Sequence, residues 1–413
     1  MFRPRWILGA SLLLLSPVTP AAAVDTCSPV MEWNQFALDA TVTAAQGALP
    51  QIRSMAIVHA SMHDAINAIT REFHTYLETD PAPGGASPEA AVIAAANYAL
   101  THLFGAQAGP LNAKRAVSLA ACGVDETNAG IAVGEAAAKA IFTLRSTDGA
   151  AQANFPYVAP GAGLPGVWVA VGPAAPVGPG WGKVVPWVLQ SGSQFRPDGP
   201  PALDSGRYTR DFNEVKALGA LNGSARTPEQ TNIAIFWDAS PSAIWNSVAR
   251  GVSTARGLDL SNAARAFAMM YIAAADASIA CFDAKYTYNF WRPITAIQRA
   301  DEDGNDNTVP DLGWAPLITT HQHPEYPSGH STNSSAMATA LKLLFGDNPG
   351  VPIVATSPRN PTFPRYWTTF SEGVDEVLDA RVYIGFHFRT SDEVGARVGR
   401  QVARYVFNHA LSD

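Results

Sequence analysis

Charge is scarce in this sequence. Only 15% of its 413 residues are Asp, Glu, Lys or Arg, where a soluble domain usually carries about a quarter. The 28 Lys and Arg are outnumbered by 35 Asp and Glu, for a formal net charge of -7. So few cations leave no basic footprint for nucleic acid, and no such partner is expected. Cysteine is scarcer still: three residues exclude a disulfide-stapled miniprotein and a zinc module with four thiolate ligands. Strand-like alternation of Val, Ile and Thr is rare, and no fixed-period repeat is evident. Past the N-terminal segment, no stretch reaches the roughly 18 uninterrupted apolar residues of a membrane span. What the chain has in quantity is hydrophobic residues, 47% of the total. Disorder therefore does not describe its bulk, and any clustering of its few cations calls for a reason.

Arg3 and Arg5 make a basic start, Trp6 to Leu15 an apolar run, and Ala21-Ala22-Ala23 a small-residue cleavage pattern. A signal peptide over residues 1–23 is expected, with the mature protein periplasmic or secreted. Two of Cys27, Cys122 and Cys281 can then bridge in an oxidising compartment, and the sequence leaves the pair open. Residues 24–150 carry apolar positions at helical spacing, as in Ser87 to Leu103 and Asn128 to Leu144. Residues 151–204 are crowded with Pro and Gly around Trp168, Trp181 and Trp187, which are expected to anchor a long loop. Residues 205–413 turn helical again, in Ser205 to Glu214, Thr227 to Trp237, Asn262 to Asn289, Ser331 to Phe345 and Asp392 to Leu411. The expected fold is all-α, helix bundles with long connecting loops, with 24–413 as one compact domain.

Three segments gather the chemistry. In Lys285-Tyr-Thr-Tyr-Asn-Phe-Trp-Arg292-Pro293 the two cations are seven residues apart. On a helix that spacing puts both on nearly one face, where they repel unless an anion sits between them. Pro293 is expected to stop or kink that helix. In His321-Gln-His323-Pro-Glu-Tyr-Pro327-Ser328-Gly329-His330-Ser331 a tight turn precedes a helix, whose free N–H groups with the Ser328 hydroxyl make an anion cradle. Gly329 lets the backbone approach closely, and His330 stands at the lip with a pKa suited to proton transfer near neutrality. In Arg381-Val-Tyr-Ile-Gly-Phe-His387, Arg381 offers a planar fork for a tetrahedral oxyanion. Thr390 and Glu393 have capping-box spacing, which predicts a helix starting at Thr390 or Ser391.

Lys-x6-Arg-Pro, then Pro-Ser-Gly-His, then Arg-x5-His resembles the three-part signature of the type-2 phosphatidic acid phosphatase and vanadium-dependent haloperoxidase superfamily. Phe290-Trp291-Arg292-Pro293 and His387-Phe388-Arg389 resemble the haloperoxidase branch, while Ala380 stands where the phosphatase pattern places Ser. The motifs span Lys285 to His387, about a quarter of the chain. The resemblance implies vanadate as cofactor, with phosphate as a competing analogue. Its oxygens would be held by Lys285, Arg292, Ser328, Gly329 and Arg381, and its metal by His387. Lys285, His330 and His387 would be the catalytic residues, His330 as the acid–base group. Hydrogen peroxide would oxidise a halide to hypohalous acid, which halogenates a small organic acceptor. His323, seven residues before His330, is similar to the arrangement of algal bromoperoxidases and favours bromide or iodide over chloride. The alternative implied by the same pocket is an exported acid phosphatase, with His387 as the nucleophile forming a phosphohistidine and His330 protonating the leaving group. A third reading is an oxyanion-binding protein without catalysis. A homo-oligomer is left open.

Other signals carry blander expectations. His59 and His63, with Asp64, lack the glutamate of a zinc-protease helix and suggest helix packing or a surface polar cluster. The run Asp301 to Asn307 departs from EF-hand order and suggests an exposed turn. Asp276 and Asp283 suggest solvated helix carboxylates, and Asp392 is a candidate for orienting His387.

Overall fold

The computed structural model describes residues 27–412, so the expected signal peptide lies outside the described residues. Apart from one small hairpin, the regular structure of the described residues is helical, and the all-α expectation holds. The N-terminal helices are α1 (Pro29–Thr43), α2 (Ala48–Thr70), α3 (Pro88–Leu103), α4 (Ala108–Ala121) and α5 (Ala129–Ser146). After the Pro/Gly segment come α6 (Gly206–Gly219), α7 (Pro228–Phe236), α8 (Pro241–Arg256), α9 (Leu260–Tyr288) and α10 (Pro293–Gln298). The chain closes with α11 (Gly329–Phe345), α12 (Phe370–Tyr383) and α13 (Arg389–His409), and β1 (Ile353–Ala355) pairs antiparallel with β2 (Arg365–Trp367) between α11 and α12. Helices α8, α10 and α12 and this hairpin fall outside the segments expected to be regular.

Starts are set by local chemistry. Ser87, Asn128, Ser205, Thr227, Asp259 and Ser328 each accept a main-chain N–H with the side chain, at the positions that cap α3, α5, α6, α7, α9 and α11. In α7 the reciprocal bond from Gln230 completes a capping box.

The centre of the fold is α9. It is long and apolar enough by length and composition to cross a membrane, yet 94% of its most apolar window is buried inside the protein, which marks it as a core helix. It packs on α2 from the N-terminal bundle (α2, α3 and α5, with α1 and α4 against α3) and on α11 and α13 from the C-terminal one. One apolar cluster runs through both, from Trp33 and Ile52 to Phe267 and Val402. The α11–α13 seam is close because of glycine. A methyl group at Gly395 would sit 2.7 Å from the Ser328 carbonyl oxygen, and one at Gly399 would collide with the Thr332 carbonyl.

The Pro/Gly segment wraps this core without regular structure beyond short turns, and Trp168, Trp181 and Trp187 are buried in it as anchors. Asp276 of α9 corrects the expectation of a solvated carboxylate. It is fully buried and accepts the main-chain N–H groups of Trp187, Val188 and Leu189 at 2.6, 2.8 and 2.9 Å. Asp283 pairs with Arg196 at 2.6 Å. The Asp301–Asn307 turn is only partly exposed, since Asp303 is buried and accepts from Asn305 and Thr308. His59 and His63 are buried packing residues, His59 lying between Phe267 and Tyr271 and 2.9 Å from Asn34. Cys27 and Cys122 form the disulfide, tying the start of the described chain to the end of α4, and Cys281 is a buried free thiol.

Candidate active site

Four stretches distant in sequence meet at the N-terminal end of α11. Lys285 comes from the last turn of α9, and its Nζ donates to the carbonyls of Pro324 and Glu325 at 2.8 and 2.9 Å. Arg292 does not share its helix, which corrects the expectation of a common face. The helix ends at Tyr288 with Asn289 in the left-handed region (φ 48°), and Pro293 opens α10 instead of kinking α9. The reversal at Asn289 brings Arg292 back to the same place. Its Nε donates to the His323 carbonyl at 2.8 Å and its Nη1 to the Phe386 carbonyl at 3.0 Å. Arg381 comes from the last turn of α12 and lies over the Phe386 ring, 5.0 Å from its centre. Gly329 is the first residue of α11, and a Cβ there would point to Lys285 Cε at 3.8 Å. His387 stands just before α13, with Nε2 3.2 Å from Arg292 Nη1. His330 is reached through His321, whose ring lies 6.5 Å from that of His330 and 5.2 Å from Phe386. The sequence motifs therefore converge on one place.

The electrostatics are those of a buried cationic pocket. Lys285, Arg292 and Arg381 are at most 1% exposed. Burial pushes Lys285 down to about 7 and the two guanidiniums down to about 10. Their donors are unequally used. Arg292 is engaged on every nitrogen, adding a 2.9 Å bond from Nη2 to His323 Nδ1. Arg381 makes one bond, from Nη1 to the Trp237 carbonyl at 2.9 Å, while its Nε and Nη2 have no partner among the described residues. Unpaired buried donors on a cation are costly, and an oxyanion is the group that satisfies them.

Burial, followed by the neighbouring cations, holds His323, His330 and His387 well below the ordinary histidine value, so all three rings are neutral here. That corrects the expectation of a near-neutral pKa for His330; an anion among the cations reverses the sign of their contribution. His330 Nε2 lies 3.2 Å from the Ala239 carbonyl, which can only accept, so Nδ1 keeps its lone pair. Trp237 and Ala239, at the end of α7, thus hold Arg381 and His330 through their carbonyls. Trp237 is in turn fixed by stacking on Trp367 of β2, 5.8 Å between centres, which gives the hairpin a part in the site.

Ser328 caps α11, and its hydroxyl sits 3.1 Å from Ser331 Oγ, which donates to Asp392 at 2.8 Å. Asp392 therefore faces the serines and does not orient His387. The carboxylate at His387 is Glu325, with Oε1 2.8 Å from Nδ1. Nor do Thr390 and Glu393 cap a helix: α13 begins at Arg389, and both side chains bind Arg207. Sequence reasoning gave no role to Glu325, His321 or the two α7 carbonyls. Glu325 left one signal, an acid inside an otherwise apolar Pro-flanked turn three residues before Ser328.

A family model for the VCPO second helical-bundle domain matches residues 265–412, which hold Lys285, Arg292, Ser328, Gly329, His330, Arg381 and His387. The chain is 27% identical to a vanadium chloroperoxidase of Curvularia inaequalis over 382 residues, 72% of this chain and 61% of that one. Its fold is similar to that of a bacterial vanadium-dependent iodoperoxidase, with TM-score 0.80 and 24% identity over 96% of this chain and 99% of the other. It is also similar to that of a bacterial vanadium-dependent chloroperoxidase in holo form, with TM-score 0.69 and 17% identity over 91% of each. Residues 265–412 thus resemble the second helical-bundle domain of the vanadium chloroperoxidases, and the fold is that of vanadium-dependent haloperoxidases.

The resemblance implies vanadate, and the chain's own residues fit the group. The two unpartnered Arg381 donors, the third Lys285 proton and the side-chain-free face of Gly329 suit a small tetrahedral oxyanion. The His387 Nε2 lone pair suits a metal centre beside it.

Proposed function

We propose that this protein is a vanadate-dependent haloperoxidase that uses hydrogen peroxide to oxidise halide, with bromide or iodide favoured, to hypohalous acid. The observation that carries the reading is Arg381, a buried guanidinium with two unpaired donors among the described residues, in the same pocket as His387, a neutral ring whose Nε2 lies 3.2 Å from Arg292 Nη1. Bound vanadate would supply a Lewis-acidic centre that activates peroxide without changing its own oxidation state. Lys285, Arg292, Arg381, the Ser328 hydroxyl and the Gly329 N–H would hold its oxygens, and His387 Nε2 its metal. Lys285 and Arg381 would offset negative charge where it develops. His330 Nδ1 would take up and return the proton of the incoming peroxide. His323, held by Arg292 beside Phe282 (5.3 Å between rings), would supply a polar wall to an approaching halide. The organic acceptor would meet hypohalous acid at the mouth of the pocket.

The same reading places the mature protein in the periplasm or outside the cell, supported by the N-terminal leader pattern and by a disulfide, which persists in oxidising compartments. Phosphate shares the shape of vanadate, and a neutral histidine is also a nucleophile, so phosphatase chemistry is the competing outcome. The test loads purified protein with orthovanadate and assays halogenation with chloride, bromide and iodide, alongside p-nitrophenyl phosphate hydrolysis without vanadate. Vanadate-dependent halogenation is expected, abolished in Arg381→Ala and His387→Ala. Phosphatase turnover without halogenation would sink the proposal, and vanadate binding with neither activity would leave only an oxyanion binder.

A further inference from the structure

We propose that Glu325 is the positioning residue of this site: through His387 it fixes which ring nitrogen is presented to the oxyanion. The inference takes its ligand, though not its geometry, from the vanadate reading. Arginine has donors and no acceptor, so Arg292 Nη1, 3.2 Å from His387 Nε2, requires a lone pair on that nitrogen. A neutral imidazole carries one N–H, which must then be on Nδ1. Glu325 Oε1 accepts it at 2.8 Å. The carboxylate cannot swing away, because the residue is fully buried and the Phe388 N–H holds the same oxygen at 3.0 Å.

One residue thereby serves two sides of the pocket, since the Glu325 carbonyl also receives Lys285 Nζ at 2.9 Å. Without the side chain the alternative tautomer becomes accessible. It would put an N–H on Nε2, turned toward the Arg292 donors, and no lone pair would remain for a metal. Removing partners of this kind from metal-binding histidines typically lowers affinity about 10–100-fold.

The test uses full-length protein labelled with 15N-histidine, as wild type, Glu325→Ala and Glu325→Gln, with His387→Ala to assign the signals. Ring 15N shifts in vanadate-free protein report the tautomer, and vanadate titration gives Kd. Wild type should show His387 as the Nδ1–H form. Glu325→Ala should mix the tautomers and weaken vanadate about 10–100-fold. Glu325→Gln, whose amide oxygen still accepts both N–H groups, should keep the tautomer and most of the affinity. An unchanged tautomer or an unchanged Kd in Glu325→Ala overturns the proposal, as does a Gln variant no better than the Ala one. A merely structural role would lower the melting temperature while leaving the tautomer alone. If Glu325→Ala does not fold, Glu325→Met fills the volume without an acceptor and gives the same comparison. A wild type that binds no vanadate overturns the haloperoxidase reading, while the tautomer measurement still decides the role of Glu325.

Discussion

Lys285 is the residue whose charge is most open to pH. Burial lowers it from 10.5 to about 7 in the folded protein, while the unfolded chain keeps the ordinary value. Between these values the unfolded state binds the extra proton, so the Lys285 contribution to ligand-free stability rises with pH through that window. Anion binding works in the opposite sense, because a bound oxyanion raises the ammonium pKa again. Vanadate or phosphate binding at pH 8 should therefore take up a proton and weaken with rising pH. Calorimetry in buffers of different ionisation enthalpy measures this, and the Lys285→Met variant should lose that component. That these motif residues would meet was legible from their identity and order. What spacing missed was the support around them. Glu325 and the Trp237 and Ala239 carbonyls act through contacts made across 62 to 144 residues of chain, which no local pattern encodes.

At the scale of elements, the pocket depends on two helices being pressed together. The first residues of α11 carry Gly329 and His330, and α13 begins two residues after His387. Gly395 lets α13 lie against the Ser328 carbonyl, at the cap of that cradle. A Gly395→Ala change must push Ser328 or α13 aside, at a cost of about 1–3 kcal/mol for overpacking. Denaturant unfolding should show that loss, and vanadate affinity should fall with it because the displaced carbonyl belongs to the turn that presents Gly329. A control methyl at Gly251, which meets nothing within 4 Å, should leave affinity unchanged. Helix existence was readable from period and caps, since Ser, Thr, Asn and Asp stand at the starts that the structure uses. The end of α9 was readable to a residue, but the reversal of the chain there was not. The left-handed turn at Asn289 separates Lys285 from Arg292, and an asparagine amid aromatics gave no hint of it.

For the whole molecule, the cationic pocket couples ligand to fold. Arg292, in the α9–α10 turn, repels both Lys285 of α9 and Arg381 of α12, and an oxyanion relieves that repulsion only in the folded state. Orthovanadate at about 100 times its Kd should then stabilise the protein by about 2.7 kcal/mol. Thermal unfolding should move up by a few degrees with vanadate, and not at all in Arg381→Ala. The N-terminal and C-terminal bundles should unfold together in that scan, since α2 and α9 share one core.

Cys281 lies one turn before Lys285 on α9, with its sulfur 3.6 Å from the Pro327 carbonyl. It is the free thiol left once Cys27 and Cys122 are bonded, and burial pushes its pKa up, so it stays protonated. A catalyst that releases an electrophilic halogen would endanger thiolates before any other side chain. Here the Cys281 thiol is fully buried and in its least nucleophilic form. Close packing of α9 thus gives the proposed catalyst resistance to its own product.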